Sequence, residues 1–245
     1  MLLEEQEVIL PVFVVQVPDN TVMPLLLQLE GFKFLSVIFF FLVIVYIETG
    51  QSQTDSTLTF SVNGATDTPR SWKMKVSLIE CINPSRAPQD CVQYFTGANN
   101  RNIKNYNFGQ VIQNQFMSTC VRREEGYCGI DWSKSLISTP DPFELDYTND
   151  INTTPADTAL IDGNCDRAYV MIPGTVYDEG TGRGSDRFCG EHFNTLQGAT
   201  TSSVVRSNHP NFILGLTTTN DDQLSMNGYN LVYSQVPCSS GGGGE

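Results

Sequence analysis

Residues 165–172 read CDRAYVMI and residues 187–190 read RFCG, and these two stretches decide the fold. The apolar run 169–172 is short and contains aromatic and β-branched side chains, so it predicts a strand buried on both faces. The glycine-rich segment 180–184 lies between the two stretches. It predicts a hairpin tip rather than a phosphate-binding loop, because no GK[ST] sequence is present and no helical pattern follows. The two stretches therefore predict β-structure with a turn between them.

Short strand-like runs continue through the chain beyond residue 53. Apolar and polar residues alternate at 58–62, 72–78, 212–216 and 229–233, and turn-forming residues separate the runs. Such alternation is typical of strands with one buried face, and no run sustains the 3.6-residue period of a helix. The sequence therefore predicts an all-β fold, an antiparallel sandwich with little helix. Most aromatic side chains, Tyr169 among them, fall on these runs and are interpreted as core.

Composition limits the classes of partner. Hydrophobic residues make up 40% of the 245 positions and charged residues 17%, which is enough apolar material for a packed core. The formal net charge is −13, from 27 acidic residues against 14 basic ones. Nucleic acids and anionic membranes bind basic surfaces, so the charge argues against both as partners.

The first 52 residues predict export from the cell. Residues 34–47 read FLSVIFFFLVIVYI without a charge. A helix of that length rises about 21 Å, less than the roughly 30 Å of a bilayer core, so a signal peptide over 34–52 fits better than a membrane span. A membrane anchor through 34–47 is the alternative. Residues 1–33 are an N-terminal extension of doubtful status, because they carry acidic residues where a signal peptide carries positive charge.

Seven cysteines follow this segment, and cysteines beyond a secretory signal are interpreted as disulfides. No CxxC or HxxxH pattern is present, which leaves a zinc site with little support. Asn152 begins the sequence Asn-Thr-Thr in an Asp-rich segment and is predicted to be glycosylated. These features agree on a secreted, disulfide-bonded glycoprotein.

One segment echoes another at a distance of 157 residues. The stretch 58–81 and the stretch 215–238 each contain two strand-like runs, a loop of equal length and a closing cysteine. Residues 54–81 therefore look like the tail of a first repeat that precedes the main domain. The closing residues 239–245, SSGGGGE, predict a flexible tail.

The order of these motifs resembles that of a CUB domain. The resemblance rests on a first cysteine pair 29 residues apart, on Cys-x-x-x-Tyr-Val-x-Ile from Cys165, on RFCG and on a closing strand pair around Gly228. The finer texture, TPRSWKMKVSLIEC…APQDCVQYFTG…CVRREEGYCGIDW…RFCG, is similar to the tandem CUB-like secreted proteins of arthropods. It covers roughly residues 56 to 238, and it implies a CUB-type, jelly-roll-like β-sandwich over 82–238.

The resemblance also implies the disulfide framework. Its two family bridges would be Cys91–Cys120 and Cys165–Cys189. Cys128 and Cys238 remain within the domain, and we hypothesise that they form a third bridge. Cys81 is then unpaired, as a free thiol, as the attachment point of a covalent partner, or as a sign of truncation in which its partner belongs to a missing first domain.

Many CUB domains bind calcium, and this chain departs from their pattern. The resemblance places two of the usual carboxylate ligands at Ala168 and Asn220, which lack a carboxylate. Asp166, Asp221 and Asp222 are close in sequence but out of register. Because calcium requires several anionic oxygen ligands, we expect no calcium site of this kind, no other metal and no cofactor.

No catalytic residues emerge from the sequence. His192 and His209 are interpreted as loop histidines, since no nucleophile motif surrounds any serine. Glu144 and Asp146, two residues apart, are interpreted as a solvated strand face rather than an acid–base pair. The sequence predicts a secreted, non-catalytic domain whose loops bind an extracellular protein or glycan. The alternatives are a covalently linked structural subunit and, because CUB modules often accompany proteases, an accessory fragment of a secreted CUB-containing protease.

Overall fold

Short strands make up nearly all of the regular secondary structure that the computed structural model describes. The described residues are 9–16, 24–29, 32–37, 43–47, 59–61, 73–80, 83–84, 86–106, 108–109, 111–137, 139–145, 158–176, 184–219 and 226–238. Cys81, Asn152, Asn220 and the tail 239–245 lie outside them. The chain divides into two units, residues 1–94 and residues 95–245.

The first unit contains two three-stranded antiparallel sheets. Its strands are β1 (Ile9–Gln16), β2 (Pro24–Leu29), β3 (Phe32–Val37), β4 (Val43–Tyr46), β5 (Thr59–Ser61) and β6 (Lys73–Glu80). One sheet has the order β4-β1-β6 and the other the order β3-β2-β5. The Tyr46 N–H donates to the carbonyl of Val92 (3.0 Å), and the rings of Tyr46 and Tyr94 meet edge to face with centroids 6.1 Å apart.

The predicted signal segment contains strands in this structure. Residues 34–52, considered above as a helical apolar run, contribute to β3 and supply β4. Short apolar runs rich in Val, Ile and Phe fit a pleated sheet as well as a helix, so periodicity alone does not separate the two. No helix in the described part of the chain is long and apolar enough to cross a membrane.

The segment 54–81 supplies β5 and β6, and both strands have partners in the extension that precedes them. β6 pairs with β1 over eight residues, from Ile9 opposite Glu80 to Gln16 opposite Lys73. β5 pairs with β2. The segment thus has one hydrogen-bonded edge on each strand, whereas an isolated remnant would leave both edges open.

The second unit is a sandwich of two six-stranded sheets. One, called the front sheet, contains β9 (Phe116–Val121), β12 (Ala159–Ile161), β13 (Ala168–Met171), β15 (Arg187–Gly190) and β17 (Phe212–Thr218) in the order β12-β15-β13-β17-β9. β7 (Gln93–Phe95) adjoins its β9 edge, where the Phe95 carbonyl accepts from the Arg122 N–H (2.8 Å).

The other, called the back sheet, has the order β11-β18-β10-β16-β14, with β8 also pairing with β18. Its strands are β8 (Asn99–Lys104), β10 (Tyr127–Lys134), β11 (Phe143–Glu144), β14 (Thr175–Val176), β16 (Val205–Ser207) and β18 (Gly228–Pro237). The one helical element among the described residues is a 3₁₀ turn at Asp162–Asn164.

The core lies between the inner faces of the two sheets. Fully buried aromatic and aliphatic side chains from both sheets fill it: Ile103, Ile130, Trp132, Phe188, Leu214, Leu216, Tyr229, Leu231 and Tyr233. The rings of Trp132 and Tyr233 lie 6.0 Å apart. The Thr119 hydroxyl of the front sheet and the Tyr229 hydroxyl of the back sheet are 3.5 Å apart, so the two layers face each other directly.

One edge of the sandwich is closed by the residues around the RFCG motif. Phe193 packs against Phe143 of the back sheet (centroids 5.0 Å) and Phe188 of the front sheet (5.5 Å). Gly190 and Leu145 exchange two backbone hydrogen bonds, of 2.6 and 3.1 Å. Gly190 has φ +87°, and a Cβ there would collide with the carbonyl oxygen of Thr158, so the motif requires glycine.

The prediction of an all-β antiparallel sandwich is confirmed. β13 and β15 pair as two antiparallel arms, with Val170 opposite Phe188. Most of the glycine-rich segment 180–184, interpreted as a hairpin tip, lies outside the described residues. The connection between these arms also carries β14, which leaves the front sheet and pairs with β16 in the back sheet.

Candidate functional site

Disulfide bonds join residues at or near the ends of strands. Cys128 of β10 is bonded to Cys238 just after β18, with Cα atoms 4.7 Å apart. Cys165, at the end of the 3₁₀ turn, is bonded to Cys189 of β15, with Cα atoms 5.7 Å apart. Cys91 and Cys120 are each disulfide-bonded as well.

The position that the resemblance assigned to a calcium ligand is part of the packed interior. Ala168 is fully buried and pairs with Thr218 of β17. The Thr218 hydroxyl donates to the carbonyl of Ile112 (2.7 Å) and accepts from the Gln115 N–H (2.8 Å), which holds the loop before β9. Within the described ranges, no group of three His, Cys, Asp or Glu side chains could hold a metal ion.

The residues weighed as catalytic groups have structural partners. Glu144 accepts a hydrogen bond from the Asn227 side chain, and its partly buried setting raises the pKa of its carboxyl group. The His209 ring accepts from the Asn211 N–H (3.1 Å). These contacts fix loops beside the strands and do not bring an acid, a base and a nucleophile together.

The solvent-facing side of the front sheet, called the front face, carries an apolar surface. Antiparallel register places Phe116 (β9), Thr217 (β17) and Tyr169 (β13) in one row. The next row contains Ser118, Gly215, Met171 and Arg187. Ile213 follows on β17, opposite Cys120. Neighbouring strands are about 4.8 Å apart, so Phe116 and Tyr169 lie about 10 Å apart with only a threonine between them.

Side-chain exposure shows that this surface is open to solvent. Phe116 is 63% exposed and Met171 is 37% exposed, while Tyr169 and Ile213 are half-buried. The Met171 side chain lies over Gly215, with its Cε 3.7 Å from where a Cβ would stand. The Arg187 guanidinium carbon sits 4.7 Å from the centre of the Tyr169 ring, a cation–π contact.

The interpretation of 169–172 as buried on both faces is therefore wrong. Ala168, Val170 and Ile172 point into the core and are fully buried, but Tyr169 and Met171 face outward. An apolar run indicates that both faces of a strand avoid charge, and it does not show that another layer covers both. The sequence analysis treated Tyr169 as core and did not single out Phe116 or Met171. The run 168–172 is apolar throughout, so no local sequence signal distinguished the outward pair from the buried residues.

Several described acidic residues lie next to strands of the front sheet: Asp162, Asp166, Asp186 and Glu191. Asp166, at the start of β13, is exposed, and Asp186 lies beside the other end of the same strand, where its carbonyl accepts from the Ile172 N–H (2.9 Å). The exposed Asp162 carboxylate accepts from the backbone N–H of Asp186 (3.0 Å).

The solvent-facing side of the back sheet, called the back face, is mostly polar. Arg206 makes a bidentate ion pair with Asp131, with both N–O distances 2.7 Å. The Ser234 hydroxyl donates to the Asn99 side chain (2.8 Å). Register places Val232 between the polar residues Ser133 and Asn102. The polar side chains of the back face therefore bind one another, and this face does not form an open apolar surface.

Two loops also expose apolar side chains. Leu136 is fully exposed and Ile137 is 39% exposed in the loop after β10. Leu196 and Val204 are exposed in the connection between β15 and β16. These are pairs of aliphatic residues without an aromatic or arginine neighbour among them, unlike the front face.

Comparison with known proteins supplies the family. A sequence model of the animal CUB domain matches residues 88–236. No curated protein shows a significant match. Among solved structures, the CUB1-EGF-CUB2 domain of human MASP-1/3 aligns with 94% of this chain and 90% of its own length, at 10% sequence identity and a TM-score of 0.36.

Proposed function

The chain belongs to the animal CUB domain family, and from that premise we propose that it is a secreted, non-catalytic module that binds an extracellular protein through its front face. CUB domains are generally non-catalytic and typically mediate protein–protein binding. Disulfide-bonded members of the family are typically extracellular.

The observation that carries the proposal is the composition of the front face. Phe, Tyr, Met and Arg are the side chains enriched at the centres of protein interfaces, and here Phe116, Tyr169, Met171 and Arg187 share one surface. Ser118, Gly215 and Thr217 between them are small, so a partner can approach the sheet closely. The sandwich beneath is held by a packed core, which gives the partner a rigid surface.

A face of this kind favours protein over glycan. Aromatic and methionine side chains contribute mainly apolar burial, at about 25 cal/mol for each Å² removed from water. The polar hydrogen-bonding groups that a sugar needs are concentrated on the back face, where several of them already bind one another. The sequence analysis predicted recognition through loops, and the exposed apolar loop residues described in the structure, such as Leu136 and Ile137, are aliphatic.

Several finer features belong to the same proposal. Residues 34–52 act as a signal peptide, Asn152 carries a glycan, and Cys81 is free or joins another chain. The similarity to the tandem CUB-like proteins of arthropods makes 54–81 part of a first repeat. Non-reducing peptide mapping of the protein released into culture medium tests all four, through the first residue, the glycopeptide and the partner of Cys81. A protein kept in membranes with 34–47 intact would contradict export.

Arrays of purified extracellular proteins and of glycans test the binding function. We expect the wild-type protein to bind at least one arrayed protein, and the double variant Phe116→Ser, Met171→Ser to bind it at least about tenfold more weakly, since interface centres dominate affinity. The matched control is Leu136→Ser, Ile137→Ser, which removes two exposed apolar side chains from a loop and should leave binding unchanged. Binding to glycans alone, or loss only in the loop variant, would contradict the proposal.

A further inference from the structure

We propose that the Cys128–Cys238 disulfide is a thiol–disulfide exchange site, a bridge that a thiol opens while the domain stays folded. The inference goes beyond the proposed function and does not depend on the front face, because Cys128 belongs to β10 of the back sheet and Cys238 follows β18. It rests on the exposure of the bridge, on the arginine beside it and on the contacts that hold the two strands together without it.

Exposure separates this bridge from the other bonded cysteines. Cys128 and Cys238 are both exposed. The remaining described cysteines are disulfide-bonded and buried, with at most 6% exposure: Cys91, Cys120, Cys165 and Cys189. Exchange requires a thiolate to reach one of the two sulfurs of a disulfide, so a buried bridge is shielded until the surrounding structure opens. The Cys128–Cys238 bridge is accessible in the folded domain.

An arginine lies beside one of the two sulfurs. A guanidinium nitrogen of Arg123 is 3.8 Å from the Sγ of Cys128, and the Nε–H of the same arginine donates to the carbonyl of Tyr127 (2.6 Å), which holds it next to the bridge. The neighbouring Glu124 carboxylate pairs with Arg122 (3.0 Å). A cation stabilises a thiolate, and the more stable thiolate leaves faster, so Cys128 is the favoured leaving group.

This geometry sets the direction of the exchange. A thiolate attacks the Sγ of Cys238 and forms a new S–S bond there, while the bond to Cys128 breaks and its electron pair stays on the Cys128 sulfur beside Arg123. A second thiolate then attacks the mixed disulfide and releases Cys238. In total the bridge gains two electrons and two protons, and two thiols lose them as they become a disulfide.

Strand contacts keep the two cysteines together after the bridge opens. β10 and β18 pair antiparallel along almost the whole of β10. The buried Gln235 side chain donates to the carbonyl of Arg122 (2.8 Å), which ties β18 to the turn after β9. The Cys238 N–H donates to the carbonyl of Gly126 (2.8 Å). None of these contacts involves a sulfur atom, so the open form retains the sheet and the bridge can close again.

The test treats the full chain with 2-mercaptoethanol, an uncharged monothiol, without denaturant. Free thiols are blocked with N-ethylmaleimide at successive times, and peptide mapping locates each product. We expect the Cys128–Cys238 bridge to open at least about tenfold faster than the buried Cys165–Cys189 bridge, because access limits the rate. The first product should carry the mixed disulfide on Cys238 and the blocking group on Cys128, with the circular dichroism of the untreated protein.

Variants test the contribution of the arginine. Arg123→Gln should slow the opening by about threefold or more and spread the mixed disulfide over both cysteines, because the Cys128 thiolate loses its cation. Arg123→Lys keeps the charge and should keep Cys238 as the main site. Arg206→Gln removes an exposed arginine elsewhere on the back sheet, and Glu125→Gln alters the same turn as Arg123. Neither control should slow the opening.

Three results would overturn the proposal. The first is opening of the buried bridge as fast as the exposed one, and the second is opening that occurs only together with loss of the folded circular dichroism signal. The third is a mixed disulfide mainly on Cys128, or an Arg123→Gln variant with the rate and products of the wild type, which would remove the role of the arginine in directing the exchange.

Discussion

The strands of both sheets alternate inward and outward side chains, but the outward side chains form different surfaces on the two faces of the sandwich. On the back face, Arg206 binds Asp131 and Ser234 binds Asn99, so outward groups find partners on neighbouring strands. On the front face, outward positions hold Phe116, and Met171 over a glycine. Both sheets bury their inner residues completely, and only the outward half of each strand distinguishes them.

The difference separates the residues that stabilise the folded domain from those that contribute little to its stability. Inward residues are required by the core, and back-face pairs contribute little more than solubility and local order, since exposed ion pairs are worth about 0–1 kcal/mol. Exposed aromatic and methionine side chains contribute still less to stability in the isolated chain. Their presence on one face only points to a surface kept for a partner.

The largest expected effect is the loss of stability when an inward-facing aromatic residue is replaced. Replacement of an outward-facing aromatic residue is the control. Trp132→Ala removes a fully buried ring between the sheets and should lower the free energy of unfolding by about 3–5 kcal/mol. Phe116→Ala removes a ring that is 63% exposed and should cost less than about 1 kcal/mol. Urea unfolding of both variants measures this. Equal losses would show that Phe116 is part of the packed structure and not of a docking surface.

A pair of glycines gives the next largest contrast. Gly228 begins β18 with φ +91°, and an added Cβ would collide with the Asn105 side-chain amide, whose oxygen accepts from the Tyr229 N–H. Gly228→Ala should therefore destabilise the domain by about 1–3 kcal/mol.

The matching glycine-to-alanine change on the front face, at Gly215, should not destabilise the domain. Gly215 has no positive φ, and a Cβ there makes ordinary contact with Met171 at 3.7 Å. Gly215→Ala should leave stability unchanged or raise it by about 0.5–1 kcal/mol, because glycine weakens a strand interior. Thermal unfolding compares the two variants, and a destabilised Gly215→Ala would mean that Met171 is held more tightly than its exposure indicates.

The back-face ion pair should show a smaller effect. Arg206→Gln breaks the bidentate contact with Asp131 and should cost about 0.5–1 kcal/mol at low salt and less at 0.5 M salt. The reference is Asp131→Asn, alone and combined with Arg206→Gln in a double-mutant cycle. A coupling energy that does not change with salt would argue against a solvent-screened pair.

The smallest expected effect is on pH dependence at the edge of the back sheet. Burial raises the pKa of the Glu144 carboxyl, and the nearby Asp141 raises it further, against the hydrogen bonds from Asn227. The folded state then binds a proton more readily than the unfolded state, so Glu144 favours folding less as pH rises from its unfolded pKa through its raised folded pKa. Glu144→Gln keeps a carbonyl acceptor for Asn227 and should flatten this decline.

Glu124 provides the opposite sign within the same domain. Its carboxylate accepts from the Gly97 N–H (2.8 Å) and pairs with Arg122, which lowers its pKa. Its contribution to stability is present above the unfolded pKa of a glutamate and is lost as pH falls through the lowered folded pKa. Melting temperatures of Glu144→Gln and Glu124→Gln between pH 3 and pH 8 should therefore differ from wild type in opposite directions with pH.

Much of the fold could be predicted from particular residues. The alternation at 212–216 and 229–233 correctly indicated β17 and β18. RFCG supported the family resemblance, and the structure adds that it lies where the two sheets meet. The strands β1 to β4 were not predicted, because an apolar run such as 34–47 satisfies helix and strand patterns equally. The roles of Phe116 and Met171 were missed because they lie 55 residues apart in sequence and become neighbours only when β17 pairs with both strands.

The sequence by itself determined the all-β class, the family and the negative charge, because each is written in local alternation, in short motifs or in composition. Only the tertiary structure decided which half of each strand faces the core and which outward residues share a surface. The physical reason is that strand register joins residues distant in the chain, and one residue of register moves a side chain from the core to solvent.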